Sequence, residues 1–175
     1  MSGGPLWGKY RGTVINNVDL DMRGRLICMV PDALGLIPST WAEACTPLAG
    51  PTGPPMGVHM VPPIGAGVWI EFEHGDPDYP VWTGCRWGST ADLPPLAKAG
   101  LPVSPSIVLQ TAGQNMVVIS DLPGPAGGIL IQSGASMVSI SQTGISLVAP
   151  KVEITAATIT LLGVTDVNQG ALKVT

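Results

Sequence analysis

Two histidines, His59 and His74, and the acidic residues Glu71, Glu73, Asp76 and Asp78 are the side chains of this 175-residue sequence best suited to chemistry. One imidazole per chain can meet its copies on a threefold axis and hold a metal ion, and clustered carboxylates can serve acid–base catalysis or bind Ca²⁺. The spacing points elsewhere. Glu71 and Glu73 alternate along an apolar strand pattern, and Asp76 and Asp78 fall in a Gly/Pro turn, so all four read as solvated charges. His59 sits in a Pro/Gly-rich stretch and His74 at a turn, where ordinary loop packing accounts for both. Cys28, Cys45 and Cys85 are widely spaced without a CxxC and read as buried, reduced thiols. No Ser-His-Asp set, phosphate loop or Cys-His pair is recognisable. The expectation is a protein that is not an enzyme, with no cofactor and no metal.

The elements that carry these residues are short strands. "KYRGTVINN" (9–17), "RLICMVPD" (25–32), "WAEACTPL" (41–48), "GVWIEFEHGD" (67–76) and "YPVWTGCRWG" (79–88) each combine β-branched or aromatic residues with a turn signal. In the fourth, Val68, Ile70 and Phe72 alternate with Trp69, Glu71 and Glu73, the period of a half-buried strand. Gly24 is available for a positive φ in the first connection and Gly75 in the last, where Pro77 and Pro80 stiffen the hairpin. Five short strands without a convincing helix fit a small closed barrel, of which the OB-fold is the commonest five-stranded type. The segment 49–66 is too rich in Gly and Pro for a regular element and is expected to be a long ordered loop. Residues 89–105 shift to Pro, Ala and Leu and read as a semi-rigid linker.

Composition narrows the partners. Hydrophobic residues make up 45% of the chain against 11% charged, a combination opposite to that of disorder. So few charges imply that apolar surface is hidden between chains. A net charge of −4 argues against a nucleic-acid backbone as partner. No apolar run is long enough for a membrane-spanning helix, and the N-terminal "MSGGPLWGKYRG" lacks a signal-peptide core, so the chain is expected to be made in the cytoplasm and not exported by the general secretory route.

Beyond residue 105 the texture becomes Ile, Val, Leu, Ser, Thr and Gly with hardly any charge. The pairs Val138/Ile140, Ile145/Leu147, Val152/Ile154 and Ile159/Leu161 recur every seven residues. A coiled coil needs apolar residues alternately three and four apart, whereas these are two and five apart with Gly144 and Pro150 inside the repeat. Spacing of two is a strand signature, so each unit is a small strand plus a tight turn. Ser139, Ser146, Glu153 and Thr160 face the other way, leaving one apolar face and one wettable face. A unit that cannot bury its apolar face alone must stack on copies of itself. Seven residues supply one side of a coil and three chains supply three, which predicts a homotrimeric, interwoven β-prism without a free lateral edge. Ile107/Leu109, Val117/Ile119 and Ile129/Ile131 precede the regular part; Leu172/Val174 follow it after a one-residue slip. The roughly nine units, each climbing about 4.8 Å, make a shaft of about 40 Å.

The order "RGTVINNVDLDMRGRLICMVPD", then "WAEACTPLAGPTGPPMGVHMVPPIGAGVWIEFEHGDPDYPVWTGCRWG", then a repetitive β-rich tail resembles the central spike of contractile phage tails and related injection systems. That family includes baseplate assembly protein V and the valine-glycine-repeat spikes of type VI secretion. The residues carrying the likeness are Gly67, Trp69, Gly75, Asp76, Pro77, Pro80 and Gly84. The resemblance implies an OB-fold collar at 1–88, a linker at 89–105 and a trimeric β-helix needle at 106–175. Its core would comprise Val138, Ile140, Ile145, Leu147, Val152, Ile154, Ile159, Leu161, Leu172 and Val174. It further implies a virion or injection-particle component, assembled in the bacterial cytoplasm, that punctures a target envelope with only transient membrane contact. No lysozyme domain stands between collar and needle. The collar begins almost at the start of the sequence, so a separate hub protein is expected on its N-terminal side. The sequence "DVNQGALKVT" lacks the His-x-His of metal-tipped spikes, so a separate PAAR-type tip protein is expected there. Two alternatives remain open: an OB-fold binder of oligonucleotides or oligosaccharides using Trp7, Tyr10, Trp41, Trp69, Trp82 and Trp87, and a trimeric fibre or adhesin.

Overall fold

The computed structural model describes residues 4–50, 53–123, 127–160 and 162, and the chain divides into two compact units, Met1–Leu93 and Pro94–Thr175. The structure is nearly all β. The first unit contains β1 (Tyr10–Asn16), β2 (Ile27–Met29), a one-turn helix α1 (Pro31–Leu34), β3 (Glu43–Ala44), β4 (Gly67–Phe72) and β5 (Pro80–Arg86). Hydrogen bonding sets the order β2-β1-β4-β5-β3, antiparallel throughout except for β3, which runs parallel to β5. An antiparallel bridge between Leu26 and Ala42, with N···O distances of 3.1 and 2.7 Å, ties the start of β2 to β3 and closes the sheet into a barrel. Closure removes the lateral edges that an open five-stranded sheet would expose.

Alternation decides what fills the barrel. Val68, Ile70 and Phe72 of β4 point inward and meet Val14, Leu26, Cys28, Val30, Ala42 and Trp82. The Trp82 indole is inside too, and its Nε1–H donates to the Gly24 carbonyl at 2.9 Å, so the one polar atom of that large side chain is satisfied. Gly12 lies where a β-carbon would come within 2.9 Å of Ile70 Cγ1 and 3.2 Å of Val68 Cγ2. The barrel wall closes tightly only because that carbon is missing.

All five expected strands form, and all are shorter than their sequence patterns. β2 ends at Met29 because Pro31 has no N–H for a ladder; its fixed φ instead starts α1, a helix the sequence reading did not anticipate. Glu73–Gly75 form a 3₁₀ turn rather than the end of β4, with His74 at φ 53 and Gly75 at φ 75. The Gly75 carbonyl accepts from Leu6 N–H at 2.8 Å, and a β-carbon on Gly75 would sit 2.7 Å from Pro5 Cβ. The turn thus receives the N-terminal segment. The described residues of 49–66 are irregular apart from an Ala49–Gly57 bridge. Further on, Ser89 and Asp92 form a reciprocal capping box around a 3₁₀ turn, and Pro95–Lys98 form another 3₁₀ turn.

The second unit is a five-stranded antiparallel meander: β6 (Ile107–Gln110), β7 (Met116–Ser120), β8 (Gly128–Ser133), β9 (Ser136–Ser141) and β10 (Gly144–Val148). β8 joins β9, and β9 joins β10, through two-residue turns, the first with Gly134 at φ 56. The five residues of β10 together with a two-residue turn account for the seven-residue period. Residues 149–160 carry the same apolar pattern but no regular secondary structure in the single chain.

Candidate functional site

Strand pairing aligns the apolar residues of the meander in two ladders on one face. Ile107 faces Ile119, Ile119 faces Ile129, Ile129 faces Ile140 and Ile140 faces Ile145; beside them Leu109, Val117, Ile131, Val138 and Leu147 align in the same way. Directly opposed β-branched pairs are the unit of sheet stabilisation, so the ladders also fix the register. Among the described residues nothing covers this face fully: Ile119 is 43% exposed, Ile140 41% and Ile145 73%. At one edge Val152 returns towards Ile131, Val138 and Leu147 and helps to line a groove of about 250 Å³. The opposite face is not uniformly polar. Val108, Val118 and Leu130 occupy it in β6–β8, and Ser139 and Ser146 follow in β9 and β10. Val118 and Ser120 are buried, and the Ser106 and Ser120 hydroxyls bond at 3.2 Å. The strictly amphipathic pattern read at 138–147 therefore begins only at β9.

Of the expected trimer-core residues, the structure places Val138 and Ile140 in β9 and Ile145 and Leu147 in β10, all on the ladder face. Val152, Ile154 and Ile159 follow outside any strand and are largely exposed. Leu161, Leu172 and Val174 lie outside the described residues. Of the collar residues, Gly67 opens β4 beneath the Arg86 side chain, Trp69 faces outward and Pro80 is fully buried at the start of β5. Asp76 Oδ1 accepts from Asp78 N–H at 3.0 Å in the β4–β5 turn, where Pro77 is exposed, and Gly84 takes φ 148 beside the bulge in β5.

The barrel has two chemically distinct ends. One carries the N-terminal segment, α1 and the β4–β5 turn, held together by the Leu6–Gly75 bond and by the Thr40 hydroxyl donating to the Asp78 carbonyl at 2.9 Å. Trp7, Leu36, Ile37 and Tyr79 are exposed there, Leu36 at 91%. Asp32, Glu73, Asp76 and Asp78 lie at the same end, and none forms an ion pair with another described residue of the barrel.

The other end carries the β1–β2 loop, and β5 leaves the barrel beside it. Asp19 organises this loop, a role the sequence reading missed although an Asp followed by backbone donors is a recognisable turn signal. Its side chain is only 3% exposed. The carboxylate accepts from the backbone N–H of Asp21 (3.1 Å), Arg23 (2.9 Å) and Arg25 (3.2 Å), and from Arg25 Nη2 (2.6 Å). The Arg25 guanidinium, helped by those backbone donors, holds Asp19 well below the usual carboxylate range. The same guanidinium reaches Asp21 at 2.5 Å and lies 5.5 Å from the Trp41 ring centroid.

The residues first considered for chemistry do not assemble. Among the described residues no group of three or more His, Cys, Asp or Glu is placed to hold a metal ion. Cys28 is buried, and burial raises its thiol to about 11. Cys45 and Cys85 are exposed, contrary to the expectation of three buried thiols: Cys45 follows the last residue of β3, and Cys85 lies past the bulge in β5. The aromatic platform a nucleic-acid binder would need is also dispersed: Trp82 is inside the barrel and Trp41 lies against Arg25.

Two family models match the sequence. Residues 10–87 match the type VI secretion system/phage-baseplate injector OB domain, and residues 106–173 match the phage baseplate V C-terminal trimerisation domain. No curated protein matches the chain.

Proposed function

We propose that this chain, which belongs to the baseplate V family of phage-tail and type VI injector proteins, is the central puncturing spike of a contractile machine. It is a structural, trimeric baseplate component, and the finer reading concerns how it is built and what it does. The supporting observation is the pair of apolar ladders on a sheet face left open in the single chain. Three such faces turned towards a common axis form a prism with a dry interior. Five strands spaced about 4.8 Å apart give roughly 19 Å of shaft, and the same pattern continues through Val152, Ile154 and Ile159 towards an interwoven β-helix. The barrels form the collar at 1–88, joined to the shaft by 89–105. The work comes from contraction elsewhere; this protein transmits force without buckling, through backbone hydrogen bonding along the shaft and close-packed Ile and Val within it.

The barrel end bearing Trp7, Leu36, Ile37 and Tyr79 together with the carboxylates of Asp32, Glu73, Asp76 and Asp78 suits a separate hub protein with an apolar surface carrying basic residues. A PAAR-type protein would cap the far end of the shaft. Catalysis has no part in this mechanism. Native mass measurement combined with denaturing electrophoresis tests the reading. The full chain is expected to be a trimer that resists SDS without boiling, and a monomer in native buffer would overturn the proposal.

A further inference from the structure

We infer that the barrel end at which β5 leaves is itself a contact between copies of this chain, with the β1–β2 loops of three protomers packed together. This rests on the trimeric reading above and adds a second, independent point of contact. The loop displays Val18, Leu20 and Met22 at 65%, 89% and 82% exposure, while Asp19 is turned inward. Burial preferences alone would favour the reverse, and the Asp19–Arg25 network holds the apolar side chains out. A second apolar loop stands beside it: Asn17 Nδ2 donates to the Pro62 carbonyl at 3.1 Å, and Met60 and Ile64 are 63% and 61% exposed.

Charge identifies the occupant. Self-association brings identical groups together around an axis, so unpaired charges of one sign are penalised there. Every charged side chain of the loop has an ion-pair partner within the chain: Asp19 and Asp21 share Arg25, and Arg23 pairs with Glu43 at 3.0 Å. The opposite end, with its unpaired carboxylates, would repel its own copies. The C-terminal trimerisation domain keeps two other copies tethered, so even a small apolar contact is populated.

The test is cysteine cross-linking of the full chain with a short bismaleimide, scored against the wild-type background from exposed Cys45 and Cys85. Each bismaleimide joins two thiols, so Leu20→Cys is expected to give a boiling-resistant dimer that wild type lacks, whereas Asp32→Cys, at the other end, gives none. A chain that is trimeric by native mass but shows no gain from Leu20→Cys overturns this inference alone, and the loop then faces a foreign protein. A chain that is not trimeric overturns the spike reading and this contact together.

Discussion

Replacing Ile140 with aspartate tests the ladder face most directly. Ile140 lies between Ile129 and Ile145, and it is 41% exposed in the isolated chain. Ile107, Leu109, Ile119, Ile129, Ile131, Ile140, Ile145 and Leu147 are together 38–73% exposed. Covering the remaining half of each contributes ~1 kcal/mol, on the order of 8 kcal/mol per protomer and 24 per trimer. Association costs about 4–15 kcal/mol per step, or about 8–30 for the two steps of a trimer, so gain and cost are of the same order and the loss of one ladder residue is felt. Aspartate at 140 loses its own contribution and places an ionised carboxylate in a dry interior, where each buried ion costs several kcal/mol. Taking ~3 kcal/mol per protomer as a floor, the trimer loses about 10 kcal/mol, or roughly seven orders of magnitude in the association constant. Ser139→Asp is the matched control, since the neighbouring residue points to the opposite face. Light scattering at micromolar concentration is expected to show monomers for Ile140→Asp and trimers for Ser139→Asp, with the collar intact in both by tryptophan fluorescence, since all five tryptophans lie within residues 7–87. Trimers from Ile140→Asp, or equal disruption by both substitutions, would refute the facing assigned here. Ile154→Asp is expected to abolish trimers by the same mechanism farther along the shaft.

Two further outcomes concern the collar. Asp19 is held below its ordinary range in the folded state, so its contribution to stability is complete above about pH 4 and declines as pH falls further. Denaturant midpoints for wild type and Asp19→Asn should therefore differ at pH 7 and converge towards pH 2; a constant difference would remove the carboxylate from the account. Thiol labelling of the native protein at pH 8 should modify Cys45 fastest and Cys85 more slowly, because partial burial raises the Cys85 thiol, and should leave Cys28 unmodified until unfolding. Early labelling of Cys28 would show that the barrel opens locally.

Local patterns carried much of this structure into the sequence. The alternation of Val68, Ile70 and Phe72 gave away β4, and the recurrence of Ile145/Leu147 after Val138/Ile140 gave away strands joined by two-residue turns. These signals are short-range, because strand period and turn chemistry act over a few residues. What stayed hidden depends on distant partners. A closed barrel was expected, but not the contacts that close it: no local feature of "WAEACTPL" specifies the parallel pairing of Glu43–Ala44 with Val81–Trp82 or the bridge from Ala42 to Leu26. The opposite face of β6–β8 was not anticipated, because the polar alternation at Ser139 and Ser146 is not repeated at Val108, Val118 and Leu130. The display of Leu20 and Met22 depends on Arg25 reaching back to Asp19, which a hydrophobic count would have assigned to the core.

The two units also differ in how far apart their partners lie along the chain, and this sets an order of maturation. In the meander every strand bonds to its sequence neighbour, so hairpins can close within microseconds of leaving the ribosome. The barrel pairs Tyr10 with Ile70 and bridges Leu26 to Ala42, so β1 must wait for β4 and β5 to be synthesised. On the proposed reading each meander, once made, carries an uncovered apolar face until two others arrive, which makes chain encounter the concentration-dependent and aggregation-exposed step. Translation of neighbouring copies from one message would shorten that wait.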